Sequence, residues 1–142
     1  MNAISSRLTI NHLAVWLVAI AQQVIGVGWY GLFRNRWLQL IAKQAADFEG
    51  QSFGPYLFAF AGAVATCYIT AWIFTKLNID TALQGVVVAS LLWLGFTFVP
   101  IVQNDLFPLR PIELSFINSG YSLVSAIVCG ATLGAWRKYD EQ

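Results

Sequence analysis

Four long runs of the chain carry no Asp, Glu, Lys or Arg: His12–Phe33, Gly54–Thr75, Ala82–Val102 and Ser115–Trp136. Each is roughly 22 residues long, and at about 1.5 Å per helical residue each reaches the roughly 30 Å of a bilayer's hydrocarbon core. The eight Lys and Arg and the seven Asp and Glu all fall between or outside these runs. A soluble helix with one buried face shows charges on its other face, and these runs show none. A membrane β-barrel would need alternating segments of about ten residues, which are absent too. The pattern predicts an all-α fold, a four-helix transmembrane bundle forming a single integral membrane domain over residues 1–142. The first run is long for the core of a cleaved signal peptide, and three like it follow, so it reads as a retained span.

The polar connections refine this picture. Lys76–Thr81 is short and predicts that spans two and three are antiparallel neighbours. In Arg34–Phe53, residues Trp37, Leu38, Ile41, Ala45 and Phe48 fall near one face, while Arg36, Gln39, Lys43 and Asp47 can point to water. That spacing predicts an interfacial helix in the first loop. Gly54-Pro55 then marks a break and a fresh helix start. Pro108 and Pro111 disfavour a helix in the third loop. Four crossings put Trp16, Trp72 and Trp136 near one surface, and Trp29, Tyr30, Tyr56 and Tyr121 near the other. These are two interfacial belts, where amphipathic rings sit at headgroup level.

Composition agrees: 58% of residues are hydrophobic and 11% charged, against about 25% charged in a soluble domain. The expected partner is the lipid bilayer, and nucleic acid is excluded by the absence of any basic patch. Orientation is not encoded, because the Lys and Arg divide evenly between the two sides and the positive-inside bias vanishes. Balanced charge also admits insertion both ways, with antiparallel homodimers as the result. Small residues repeat on span four (Ser122, Ala126, Gly130, Gly134), span two (Ala59, Ala63, Cys67, Ala71) and span three (Gly85, Ala89), with Gly26, Gly28 and Gly31 closing span one. Such stripes let helix backbones approach closely. They predict contact faces inside the bundle, or a homodimer seam where one is left exposed.

Chemistry is sparse. Cys67 and Cys129 sit in apolar runs outside any metal or redox spacing and read as small packing residues. They lie at similar depth. With one histidine, His12, at the start of span one, and no carboxylate within a span, no metal and no cofactor is expected. No nucleophile-elbow or phosphate-loop motif is present. What remains is neutral polarity at depth. Gln22, Gln23, Tyr68, Trp93 and Ser122 form a candidate central cavity, with Thr66, Thr70, Ser90 and Ser125 at nearby depths. Buried amides and hydroxyls need partners in lipid, so these residues read either as hydrogen-bonded glue between helices or as the wall of a binding site. A second cluster lies toward the two longer loops. Trp29, Tyr30, Asp105, Arg110, Glu113, Asn118 and Tyr121 form a candidate pocket mouth, with Arg34, Arg36 and Asn104 nearby.

Two segments carry a resemblance. Asn11-His-Leu-Ala-Val opens span one and Gly26-Val-Gly-Trp-Tyr30 closes it, followed by Leu32-Phe33 and Trp37. Asn118-Ser-Gly-Tyr121 and Gly130-Ala-Thr-Leu-Gly-Ala-Trp136 mark span four. With the span count, these resemble an uncharacterised family of short, mostly bacterial four-helix membrane proteins, one of the domain-of-unknown-function families. The resemblance covers about Asn11 to Trp136. It implies a multi-pass protein of the bacterial inner membrane and brings no activity with it. Size and charge balance are also similar to small multidrug exporters. Those carry a glutamate within the first helix, where this chain has Gln22 and Gln23.

Lack of a coupling charge favours a non-catalytic structural or accessory membrane protein, which predicts a closely packed bundle without a cavity. The alternative is a small-molecule transporter or channel, which predicts a polar-lined cavity at the depth of Gln22 and Trp93. A membrane enzyme is a third reading and would need Asp105 or Glu113 poised in a cleft.

Overall fold

The computed structural model describes residues 7–140. Helix α1 spans His12–Leu32, a short α2 covers Arg34–Leu40, and α3 runs over Gly54–Leu77. The third span consists of α4 (Ala82–Trp93), one wide π-helical turn (Leu94–Phe98) and α5 (Val99–Leu106). The fourth span is α6, Ile112–Ala135. Four helices are therefore long and apolar enough to cross a membrane, and the chain is a small integral membrane protein.

Local signals account for most boundaries. The Asn11 side chain accepts a hydrogen bond from Ala14 N at 3.2 Å and opens α1. Pro55 sits in the first turn of α3, where its missing N–H costs nothing. Asn78 adopts a left-handed conformation (φ 53°) that ends α3, and Thr81 caps α4 through Gln84 N at 3.3 Å. The wide turn answers Pro100. Its ring cannot tolerate the carbonyl four residues back, and Val99 N instead reaches Leu94 O. This lets the third span continue to Leu106, past the predicted end at Val102. The termini meet outside the bundle, where Arg7–Thr9 pairs antiparallel with Lys138–Asp140.

Packing departs from the sequence expectation at one point. The closest pair is α4 with α6, and it is glycine that permits it. A Cβ placed on Gly85 would overlap the backbone carbonyl of Gly130, and one on Gly130 would lie 2.8 Å from the Ala89 methyl. A Cβ on Gly134 would reach 3.2 Å from the Gly85 Cα. The span-four stripe at Gly130 and Gly134 is thus an internal seam. Meanwhile α3 packs on α1, burying Cys67, Ala71 and Phe74 with Ala14, Val15, Val18 and Ala19. Because α4 is drawn to α6 and α3 to α1, spans two and three are not close neighbours along their lengths despite their short connection. They leave that connection and diverge. Accordingly the buried residues of α3 all lie in its second half, at Cys67, Thr70, Ala71 and Phe74, and those of α4 within its first eight residues, at Gly85 and Ala89.

The Cys67 and Cys129 sulfurs lie 3.8 Å apart, both buried, and tie α3 to α6. A trivalent arsenical, which binds two adjacent thiols, is expected to add one equivalent to the folded protein and none to Cys129→Ala. Mass spectrometry after detergent extraction reads the difference. Two independent adducts on the wild type would place the thiols apart.

The first loop also differs from expectation. Its single amphipathic helix is replaced by α2 and a 3₁₀ turn at Ala45–Phe48, broken by Ala42 at φ 54°. The break folds Trp37, Leu38, Ala45 and Phe48 back against the bundle.

Candidate functional site

The divergence of α3 from α4 leaves a cleft of about 620 Å³ within the membrane region. Its walls come from all four spans: Gln22 of α1; Ala63, Thr66 and Thr70 of α3; Ala89, Trp93 and Phe96 of the third span; Ser122, Ser125 and Cys129 of α6. Of the candidate cavity residues, Gln22, Trp93 and Ser122 are brought together here. Gln23, one helical position on, faces a different cavity. Tyr68 lies away from both. Its long side chain reaches back to the membrane surface, where its hydroxyl pairs with His12 Nδ1 at 3.0 Å.

The polar wall of the cleft is only partly self-satisfied. The Trp93 indole donates to Ser122 Oγ at 2.9 Å and to the Ser119 carbonyl at 3.2 Å, and Ser122 donates to the same carbonyl at 2.9 Å. These three groups fix the wall next to the wide turn. Gln22 is 6% exposed and makes one long bond, Nε2 to the Ser125 carbonyl at 3.4 Å. Ser125 is buried in the wall, and its hydroxyl oxygen has no partner at all. In water such groups would be hydrated; in a bilayer an unpartnered hydroxyl or amide costs free energy until something bonds to it. No Asp, Glu, Lys or Arg lines this cleft.

A second cavity of about 580 Å³ lies toward the two longer loops. Gln23, Tyr30, Arg34, Trp37, Gln51 and Tyr56 line it, and Ala59 and Tyr121 line both cavities. Tyr121 stands between them. Its hydroxyl donates to the Gln22 carbonyl at 3.3 Å, and its ring lies against Gly26, where an added Cβ would come within 3.3 Å. Sequence reasoning missed Trp37 and Gln51 here, because a single surface helix in the first loop would not carry them to the pocket, and Tyr56, at the start of α3, because its ring fits an interfacial belt as well.

The predicted pocket mouth mostly fastens helices to one another. Trp29 donates to the Ile117 carbonyl at 2.9 Å, and its ring fills the space beside Gly120. Tyr30 donates to Asn118 Oδ1 at 3.0 Å while also facing the second cavity. Arg36 clasps Glu113 through Nε at 2.6 Å and through a terminal nitrogen, an exposed pair that orients α2 against α6. Asp105 is buried and accepts from Ser115 Oγ at 2.8 Å, with Arg110 at 3.5 Å. Neither Asp105 nor Glu113 lines either of these two cavities. Among the described residues, no group of three His, Cys, Asp or Glu could hold a metal.

The Asp105 clamp carries a stability prediction. Asp105→Ala leaves the fully buried Ser115 hydroxyl unpaired, at a cost of about 1–3 kcal/mol. A clearly lowered midpoint of thermal unfolding in detergent is expected, against little change for Glu113→Ala at the exposed pair. Equal effects of the two would contradict the assignment.

No curated protein and no solved structure matches this chain. Residues 13–134 match the family described as protein of unknown function (DUF1761). That match covers most of the chain, and the chain belongs to this uncharacterised family.

Proposed function

We propose that this protein binds, and carries within the membrane, a small amphiphilic molecule that enters the cleft between α3 and α4. The observation that carries the reading is the Gln22 wall: an amide with one long hydrogen bond, lining a ligand-sized, mainly apolar space at membrane depth. A purely structural bundle would close that space, as the α4–α6 seam is closed. The cleft's chemistry selects an apolar chain bearing a hydrogen-bonding group, because its lining is apolar with neutral amides and hydroxyls. Enzymatic chemistry has less support, since the two carboxylates of the candidate mouth are occupied by Arg36, Arg110 and Ser115.

The test is saturable binding of a long-chain alcohol, oleyl alcohol, to purified protein in micelles. One site per chain is expected, weakened by Gln22→Leu, which keeps the bulk and removes the amide. Binding that merely follows partition into micelles, unchanged by the substitution, would remove the reading.

A further inference from the structure

We infer that the second cavity holds an oxyanion headgroup, so that the ligand is an anionic amphiphile whose chain passes Tyr121 into the cleft. The inference rests on the proposed ligand-binding role and names its substrate class.

Three observations converge. The first is charge. Arg34 lines the second cavity, which has no acidic residue in its wall. The neighbouring arginines are engaged, Arg36 by Glu113 and Arg110 by Asp105. Among the described residues, no carboxylate lies within ion-pair distance of Arg34. A guanidinium offers a fork of donors matched to carboxylate or phosphate oxygens.

The second is the shape of the wall. Tyr121, Tyr30, Trp37 and Phe48 follow one another at ring separations of 5.6, 5.6 and 6.0 Å. They give the pocket a semi-rigid apolar side in the same wall as Arg34. The folded-back first loop supplies two of these rings and gives the pocket its depth. An amphiphile's first methylenes fit such a wall while its head meets Arg34 and Gln51.

The third is continuity. Ala59 and Tyr121 border both cavities, and the adjacent residues Gln22 and Gln23 face one cavity each. A molecule with a charged head and an apolar chain occupies both spaces at once, and neither a soluble ion nor a hydrocarbon does. Ala59, the other residue the two cavities share, has only a methyl group beside this boundary.

Binding of oleate and oleyl alcohol to the full chain in neutral micelles tests this. Oleate is expected to bind about tenfold or more tightly than the alcohol, as a charge-assisted pair implies. Arg34→Gln should bring oleate down to the level of the alcohol, while Arg34→Lys should keep part of the preference. Oleyl phosphate should be favoured like oleate, since the oxyanion is what is recognised. Equal binding of oleate and alcohol by the wild type, or a preference that survives Arg34→Gln, overturns the headgroup assignment alone. Saturable binding of neither probe overturns the ligand-binding role as well. Displacement of oleate by inorganic phosphate at the same concentration would assign the pocket to a soluble anion and overturn the amphiphile.

Discussion

Gly85→Val is expected to disrupt assembly of the bundle, with most of the protein lost from the detergent-soluble fraction. A Cβ at this position would overlap the Gly130 carbonyl, which belongs to the backbone of a packed helix and cannot swing aside as a side chain would. The two helices must separate, and with them the seam that holds the third span to the fourth. Overpacking a close-fitting contact costs about 1–3 kcal/mol, and a backbone obstacle belongs at or above the top of that range. Gly28 and Gly31, on α1, meet nothing within 4 Å. There, substitution by alanine should leave yield unchanged or raise it, since alanine favours a helix over glycine by about 1 kcal/mol. Size-exclusion profiles of the three variants separate the cases. A well-behaved Gly85→Val protein would mean that α4 and α6 do not meet at this seam.

Filling the cleft should abolish ligand binding while sparing the fold. Thr66 lines the cleft from α3 and is exposed, so its side chain packs into no core. Thr66→Trp places an indole in the space that a ligand chain would occupy. Binding of oleyl alcohol should fall more than tenfold, with an unfolding midpoint close to that of the wild type. Leu91→Trp is the control. Leu91 is 63% exposed on the third span and lines neither cavity, so the same bulk added there should leave binding intact. Should both variants bind normally, the ligand does not enter between α3 and α4. Should both lose binding, the loss comes from bulk on the bundle surface and the cleft is not its cause.

Much of this architecture was legible in the chain because a bilayer leaves few solutions. Charge-free runs of spanning length could only be helices, and the structure has them at His12–Leu32, Gly54–Leu77, Ala82–Leu106 and Ile112–Ala135. The glycines of spans three and four were legible as contact faces for the same reason. Which helix each stripe would meet was not. Short connections suggest neighbours, and Lys76–Thr81 suggested α3 beside α4; the Gly85–Gly130 approach outweighs that proximity by drawing α4 to α6. The cleft follows from that competition, which no periodicity in a single span reveals.

The candidate site shows the same limit. Gln22, Trp93 and Ser122 share the cleft because depth along a helix is readable from residue number. Gln23 and Tyr68 were placed by depth as well, but direction around the helix and side-chain reach send one to the second cavity and the other to His12. Trp29, expected in an interfacial belt, fills the space at Gly120 from the end of α1. Its partner is a backbone carbonyl on another helix, which leaves no mark in a sequence. Trp16, Trp72 and Trp136 are each 44–55% exposed, which leaves their rings free on the bundle surface.

Native mass spectrometry of the protein released from its own membrane into mild detergent addresses the central claim most directly. The account predicts that part of the population carries one additional mass of amphiphile size, and that this mass is absent from Thr66→Trp and retained by Leu91→Trp. A wild-type spectrum with the bare chain alone, unchanged when oleyl alcohol or oleate is supplied in excess, would contradict it.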